Sequence, residues 1–180
     1  EQGRGEQTAL IYDSPVTDTR CRYTYSELLE RVARCAGLLH QLGVDKGDRV
    51  LVYMPMVPEA VIGMLACARI GAIHSVVFGG FASKELALRI DDATPRVILS
   101  ASCGVEPARI VPYKPLLDEA IALAGHRPAH CVILQRPVQQ ASLLPGRDLD
   151  WFSATESAAP VPCVPMRAND PLYILYTSGT

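Results

Sequence analysis

At 180 residues, with 49% hydrophobic and 20% charged content, the chain is long enough to bury a core and too apolar for a disordered one. A formal net charge of −2 provides no field that would draw nucleic acid or an anionic membrane. Six cysteines without a C-x-x-C pair exclude zinc ribbons and thioredoxin-type motifs, and their apolar surroundings suit reduced thiols in an intracellular protein.

The first clear element is a helix expected over residues 20–42. Thr24 and Glu27 form a capping box, Leu28, Val32, Cys35 or Ala36, and Leu39 recur at helical spacing, and Gly43 supplies a stop. After a Lys46-Gly47-Asp48 turn, residues 49–54 read as a buried strand. Pro55 and Pro58 end it and open a second helix over 59–70, closed by Gly71. These prolines and Glu59 also interrupt the apolar stretch 51–68, so it cannot span a bilayer.

The pattern then repeats: a strand over 72–78, a Gly79-Gly80 loop and a helix over 83–92. A strand over 96–101 follows, then a polar, proline-marked loop to residue 112, a helix over 113–124 and a strand over 131–135. Residues 136–167 carry many prolines and little periodicity, and read as a surface excursion before a last strand at Tyr173. Near-continuous apolar strands alternating with helices predict an α/β fold, a parallel sheet flanked by helices, with an open edge at its C-terminal strand.

Ligands bind such sheets beyond the carboxyl ends of the strands, which directs attention to three loops. In Phe78-Gly79-Gly80-Phe81 the glycines let backbone approach a ligand and the aromatic rings can stack on a base; a tight turn between two core phenylalanines fits equally. In the loop 104–109, with Lys114 close behind, Arg109 can bind phosphate in bidentate fashion, or remain a solvated loop arginine. The chain closes on Tyr176-Thr177-Ser178-Gly179-Thr180, where a β-rich run enters small hydroxyl-bearing residues and glycine suited to a polyphosphate.

Other patterns are weaker. His126 and His130 have helical i, i+4 spacing but a loop between them, so no metal site is expected. His74 reads as a satisfied core histidine, and Asp91-Asp92 as the polar end of a helix. There is no G-x-S-x-G elbow, no Walker A loop and no G-x-G-x-x-G fingerprint.

Taken together and in order, these segments resemble the adenylate-forming enzymes, specifically the short-chain acyl-CoA synthetases. The resemblance runs from Gly5 to Thr180 and is carried by Tyr53-Met54-Pro55-Met56-Val57-Pro58-Glu59, by the run from Ala66 to Phe81, and by the closing Tyr-Thr-Ser-Gly-Thr. The run from Glu106 to Leu116 and the run from Pro145 to Trp151 look more like propionyl-CoA than acetyl-CoA synthetases.

The resemblance implies that residues 1–180 are part of the large N-terminal adenylation domain of such an enzyme, truncated at its phosphate-loop strand. It implies ATP, coenzyme A and Mg2+ as cofactors and a short-chain carboxylate as substrate. By position, Thr177, Ser178, Gly179 and Thr180 match the start of the loop that holds the ATP phosphates. Glu106, Pro107, Ala108 and Arg109 match the CoA-contacting segment, and Phe78, Gly79 and Gly80 a stretch beside the CoA nucleotide. The catalytic residues and the magnesium-binding acid are expected downstream of Thr180, so the chain alone is expected to be inactive. The expected compartment is the cytoplasm, with the mitochondrial matrix as alternative. A competing reading is a non-catalytic CoA- or nucleotide-binding module. A dehydrogenase-type nucleotide domain is a distant third, because Met54-Pro55-Met56 stands where its glycine fingerprint belongs.

Overall fold

A computed structural model describes residues 3–77, 79 and 81–177. Its central feature is a parallel sheet built from β3 (Arg49–Tyr53), β4 (Ile73–Val76), β5 (Val97–Ala101), β8 (His130–Leu134), β9 (Asp148–Asp150) and β10 (Tyr173–Ile174). Their spatial order is β10-β4-β3-β5-β8-β9. The remaining strands form two antiparallel hairpins, β1 (Thr8–Ser14) with β2 (Thr19–Thr24), and β6 (Cys103–Glu106) with β7 (Arg109–Pro112).

Alternation along the central strands sends side chains to two separate cores. Val50, Val52, Val97, Leu99, Val132 and Leu134 pack against α1 (Tyr25–Gln41), α2 (Pro58–Ile70) and α5 (Trp151–Ser157). Leu51, Tyr53, Ile98, Cys131 and Ile133 pack against α3 (Ser83–Ala93) and α4 (Tyr113–Leu123). Coverage of both faces is why β3 and β5 read as near-continuous apolar runs, as the sequence led one to expect.

Four sequence expectations are corrected. Helix α1 begins at Tyr25 rather than at residue 20: Thr24 is the N-cap, in extended backbone, with the capping box formed in both directions. Residues 19–24 are instead strand β2, whose alternating Arg20 and Arg22 suit a half-exposed hairpin. The hairpin turns through Asp18, whose φ of 48° is a left-handed conformation that Asp tolerates better than most residues. The expected loop before residue 112 is the β6–β7 hairpin. Residues 136–167, expected as a surface excursion, contain β9, which extends the sheet beside β8, and α5, whose Trp151 is buried.

A charge network centred on the buried side chains of Lys114 and Asp148 fixes β9. Lys114 on α4, only 4% exposed, sits 2.9 Å from Asp148 and 2.6 Å from Asp118, and Arg147 bridges to both aspartates at 2.6 and 2.5 Å. At the opposite edge, β10 leaves Leu172, Tyr173 and Leu175 exposed, in line with the expected open edge.

Candidate functional site

Because the six strands are parallel, they all end on the same side, and their outgoing connections converge there. The β1–β2 hairpin, the turn after β3, the residues after β4, the β6–β7 hairpin, the start of α4 and the turn after β8 enclose a cleft of about 350 Å³. Its walls include Met54, Gly79, Glu106, Tyr113 and Arg136. Two of the three nominated segments, those of Gly79 and Glu106, therefore meet in one cleft.

Gly79 has a mechanical role that its neighbours make plain. A Cβ there would run into the hydroxyl end of Tyr113, and a Cβ at Gly104 would lie 2.6 Å from Cε1 of the same ring. Tyr113 is thus seated between two glycines and stacked on Tyr53, with ring centroids 4.9 Å apart. The Tyr53 hydroxyl reaches the carbonyls of Gly79 (3.4 Å) and Phe81 (3.3 Å), tying the loop down from below. Burial pushes the Tyr53 phenol up to about 12 and Tyr113 up as well, so both remain protonated donors at neutral pH. Phe78 and Gly80, nominated with Gly79, lie outside the described residues.

Glu106, Pro107, Ala108 and Arg109 form the exposed tip of the β6–β7 hairpin, with Glu106 and Arg109 facing each other across the strands. The Arg109 Nε donates to Glu106 Oε2 at 2.8 Å, which raises the guanidinium pKa still further. With the Arg109 side chain 71% exposed, this pair is open to exchange with an incoming anion. Lys114 does not join Arg109, because it is consumed by Asp118 and Asp148.

Thr177 is exposed just beyond β10, and Ser178, Gly179 and Thr180 lie outside the described residues. Since β10 runs parallel to β4, with Ile174 beside Ser75, the chain leaves both strands at the same end of the sheet. Tyr176 anchors this tail: its hydroxyl donates to Asp92 at 2.5 Å, and Arg89 lies 3.9 Å over its ring.

The histidines separate. His126 contacts the Pro95 carbonyl at 2.8 Å through Nε2, while its backbone N–H donates to Asp91. The expectation of a satisfied His74 fails, because its buried Nδ1 has no hydrogen-bond partner among the described residues. Burial lowers its pKa, which keeps the ring neutral, and the ring packs against Tyr173 at 5.8 Å. Among the described residues no group of three His, Cys, Asp or Glu side chains is arranged to hold a metal ion.

Arg136 is a wall residue that sequence reasoning passed over, since it opened a stretch without periodicity. Its signal was its position: the end of an apolar strand, just before Pro137. Ser102, 1% exposed, holds the turn, accepting the Arg136 N–H at 2.9 Å and donating to the Gln139 carbonyl at 2.6 Å.

Comparison with known proteins adds sequence relationships to this geometry. Residues 1–180 match the family model described as AMP-binding enzyme. The chain is 63% identical over 180 residues to an uncharacterized protein of Pseudomonas aeruginosa, covering 100% of this chain and 29% of that protein. It is 55% identical over 181 residues to the mitochondrial acyl-CoA synthetase short-chain family member 3 of Mus musculus, covering 100% and 26%. With the propionate–CoA ligase of Salmonella typhimurium it shares 51% over 177 residues, covering 97% and 28%. The crystal structure of Brucella canis acyl-CoA synthetase superposes with a TM-score of 0.80 over 99% of this chain and 30% of that one; at 24% identity, this likeness shows the fold. The chain thus spans less than a third of the length of these relatives.

Proposed function

This chain belongs to the AMP-binding enzyme family, and on that footing we propose that it is the N-terminal part of an ATP-dependent short-chain acyl-CoA ligase. The observation that carries the reading is 51% identity to a propionate–CoA ligase over nearly the whole chain. The proposed reaction has two steps. A short-chain carboxylate attacks the α-phosphorus of ATP, releasing pyrophosphate and forming an acyl-adenylate, and the CoA thiol then displaces AMP.

In this reading the chain contributes binding surface rather than catalytic groups. The exposed Glu106–Arg109 tip offers a guanidinium to a CoA phosphate, exchanging one carboxylate partner for another anion. The loop at Gly79, braced by Tyr53 and Tyr113, forms the wall beside the CoA nucleotide. Thr177 leads into the ATP phosphate loop, and Mg2+ accompanies ATP through an acid outside these residues. The likeness of the runs from Glu106 to Leu116 and from Pro145 to Trp151 to propionyl-CoA synthetases favours propionate over acetate as the substrate of this reading. The proposed compartment is the cytoplasm, with the mitochondrial matrix as the alternative that the mouse relative's name supports. Among the described residues no helix is long and apolar enough to cross a membrane.

ATP–pyrophosphate exchange driven by propionate and by acetate in the parent protein tests the reading directly. Exchange is expected with propionate above acetate, and its absence with every short-chain acid would remove the ligase assignment. The isolated 180-residue chain is expected to form no acyl-adenylate.

A further inference from the structure

The cleft at the strand ends holds one positive charge that its neighbours leave unbalanced. Glu106, which lines it, is paired with Arg109 at 2.8 Å. Arg136, which also lines it, makes no ion pair and no side-chain hydrogen bond with any described residue. Glu59 and Tyr113 both feel its field, yet no Glu59 oxygen lies within ion-pairing distance of it. The backbone carrying Arg136 is immobilised. Its N–H is held by Ser102 Oγ, the same hydroxyl holds Gln139, and Gln139 donates to the Arg136 carbonyl at 3.2 Å. The nearby α4 N-terminus does not compete for an anion, because the Tyr113 and Lys114 N–H groups both point to the Ser102 carbonyl.

A guanidinium without a partner, on a hydrogen-bonded turn lining a cleft, has its fork of donors free for a phosphoryl oxygen pair. We infer that Arg136 binds a phosphate group of a ligand seated in this cleft. The inference deepens the acyl-CoA ligase reading and rests on it for the identity of the ligand. The phosphoanion chemistry itself is shared by CoA and ATP.

Isothermal titration of the full 180-residue chain with CoA, ATP and inorganic pyrophosphate tests it, using wild type, Arg136→Gln and Arg136→Lys. Loss of charge-assisted bonds predicts about 10- to 100-fold weaker binding for Arg136→Gln. Arg136→Lys, which keeps the charge and loses the fork, is expected to fall between. Weakened CoA binding assigns the contact to CoA; weakened ATP or pyrophosphate binding with CoA unaffected keeps the site and reassigns its ligand. Equal affinities of wild type and Arg136→Gln for every probe overturn the inference, as does failure of all three to bind wild type. Pyrophosphate exchange in the parent judges the ligase reading separately. Unchanged melting of both variants excludes misfolding as the cause of lost affinity.

Discussion

The pair Glu106–Arg109 and the ion pair of Lys114 with Asp148 use the same chemistry, but burial separates them. Arg109 is 71% exposed, so water screens its attraction to Glu106 and a ligand can replace that partner at little cost. The Lys114 and Asp148 side chains are 4% and 0% exposed. Both have given up hydration, so neither can leave the other without stranding a charge in the interior. The exposed pair suits exchange with a ligand, whereas the buried pair anchors β9 to α4. A basic residue near a proline-stiffened loop is therefore a poor guide to ligand binding until its burial is known.

The strongest way to break this contrast is to remove Asp148. Asp148→Ala leaves Lys114 and Arg147 under-compensated and is expected to cost about 3–5 kcal/mol in denaturant unfolding; a loss like that of an ordinary surface change would mean that the network is not structural. The same carboxyl sets a pH limit. Burial pushes its pKa up, but Arg147, the Leu144 N–H and Lys114 outweigh this and hold it below the ordinary value of 3.8. A depressed folded pKa means the contribution is present above 3.8 and lost as pH falls through the lower folded value. Wild-type stability should therefore drop in that acid range, and Asp148→Asn should flatten the drop.

Next in size is Gly79→Ala, whose new Cβ meets the seated ring of Tyr113. Overpacking of this kind is expected to cost about 1–3 kcal/mol. The cost should shrink in a Tyr113→Leu background, as a double-mutant cycle would show. An equal cost in both backgrounds would separate Gly79 from Tyr113. The smallest stability effect belongs to Arg109→Ala, which should leave the melting temperature unchanged while weakening CoA binding about tenfold or more. A lowered melting temperature with CoA affinity intact would reverse the assignment of the two charge sets.

Legibility of the fold and the site tracked the range of the interactions involved. The Thr24–Glu27 capping box, Pro58 at the start of α2 and the apolar runs of β3 and β5 involve residues within a few positions of each other, and all were read correctly. The early hairpin was missed because the helical periodicity after residue 24 was extended backwards over β2. Strand β9 was missed because three polar-flanked residues carry no pattern of their own; its place comes from Lys114 and from pairing with β8. At the site, Gly79 and Arg109 could be nominated from loop chemistry, whereas Arg136 stood out only once its partners could be counted.

By itself, the sequence determined an α/β chain with a parallel sheet covered on both faces and its chemistry at the strand ends, because periodicity and capping are local properties of the chain. Tertiary structure alone decided which charges are spent and which are free. Charge pairing and glycine contacts depend on residues far apart in sequence: Lys114 finds Asp148, Gly79 makes room for Tyr113, and Arg136 finds no partner among the described residues. Burial, which sets the strength of each electrostatic contact, exists only after the layers have packed.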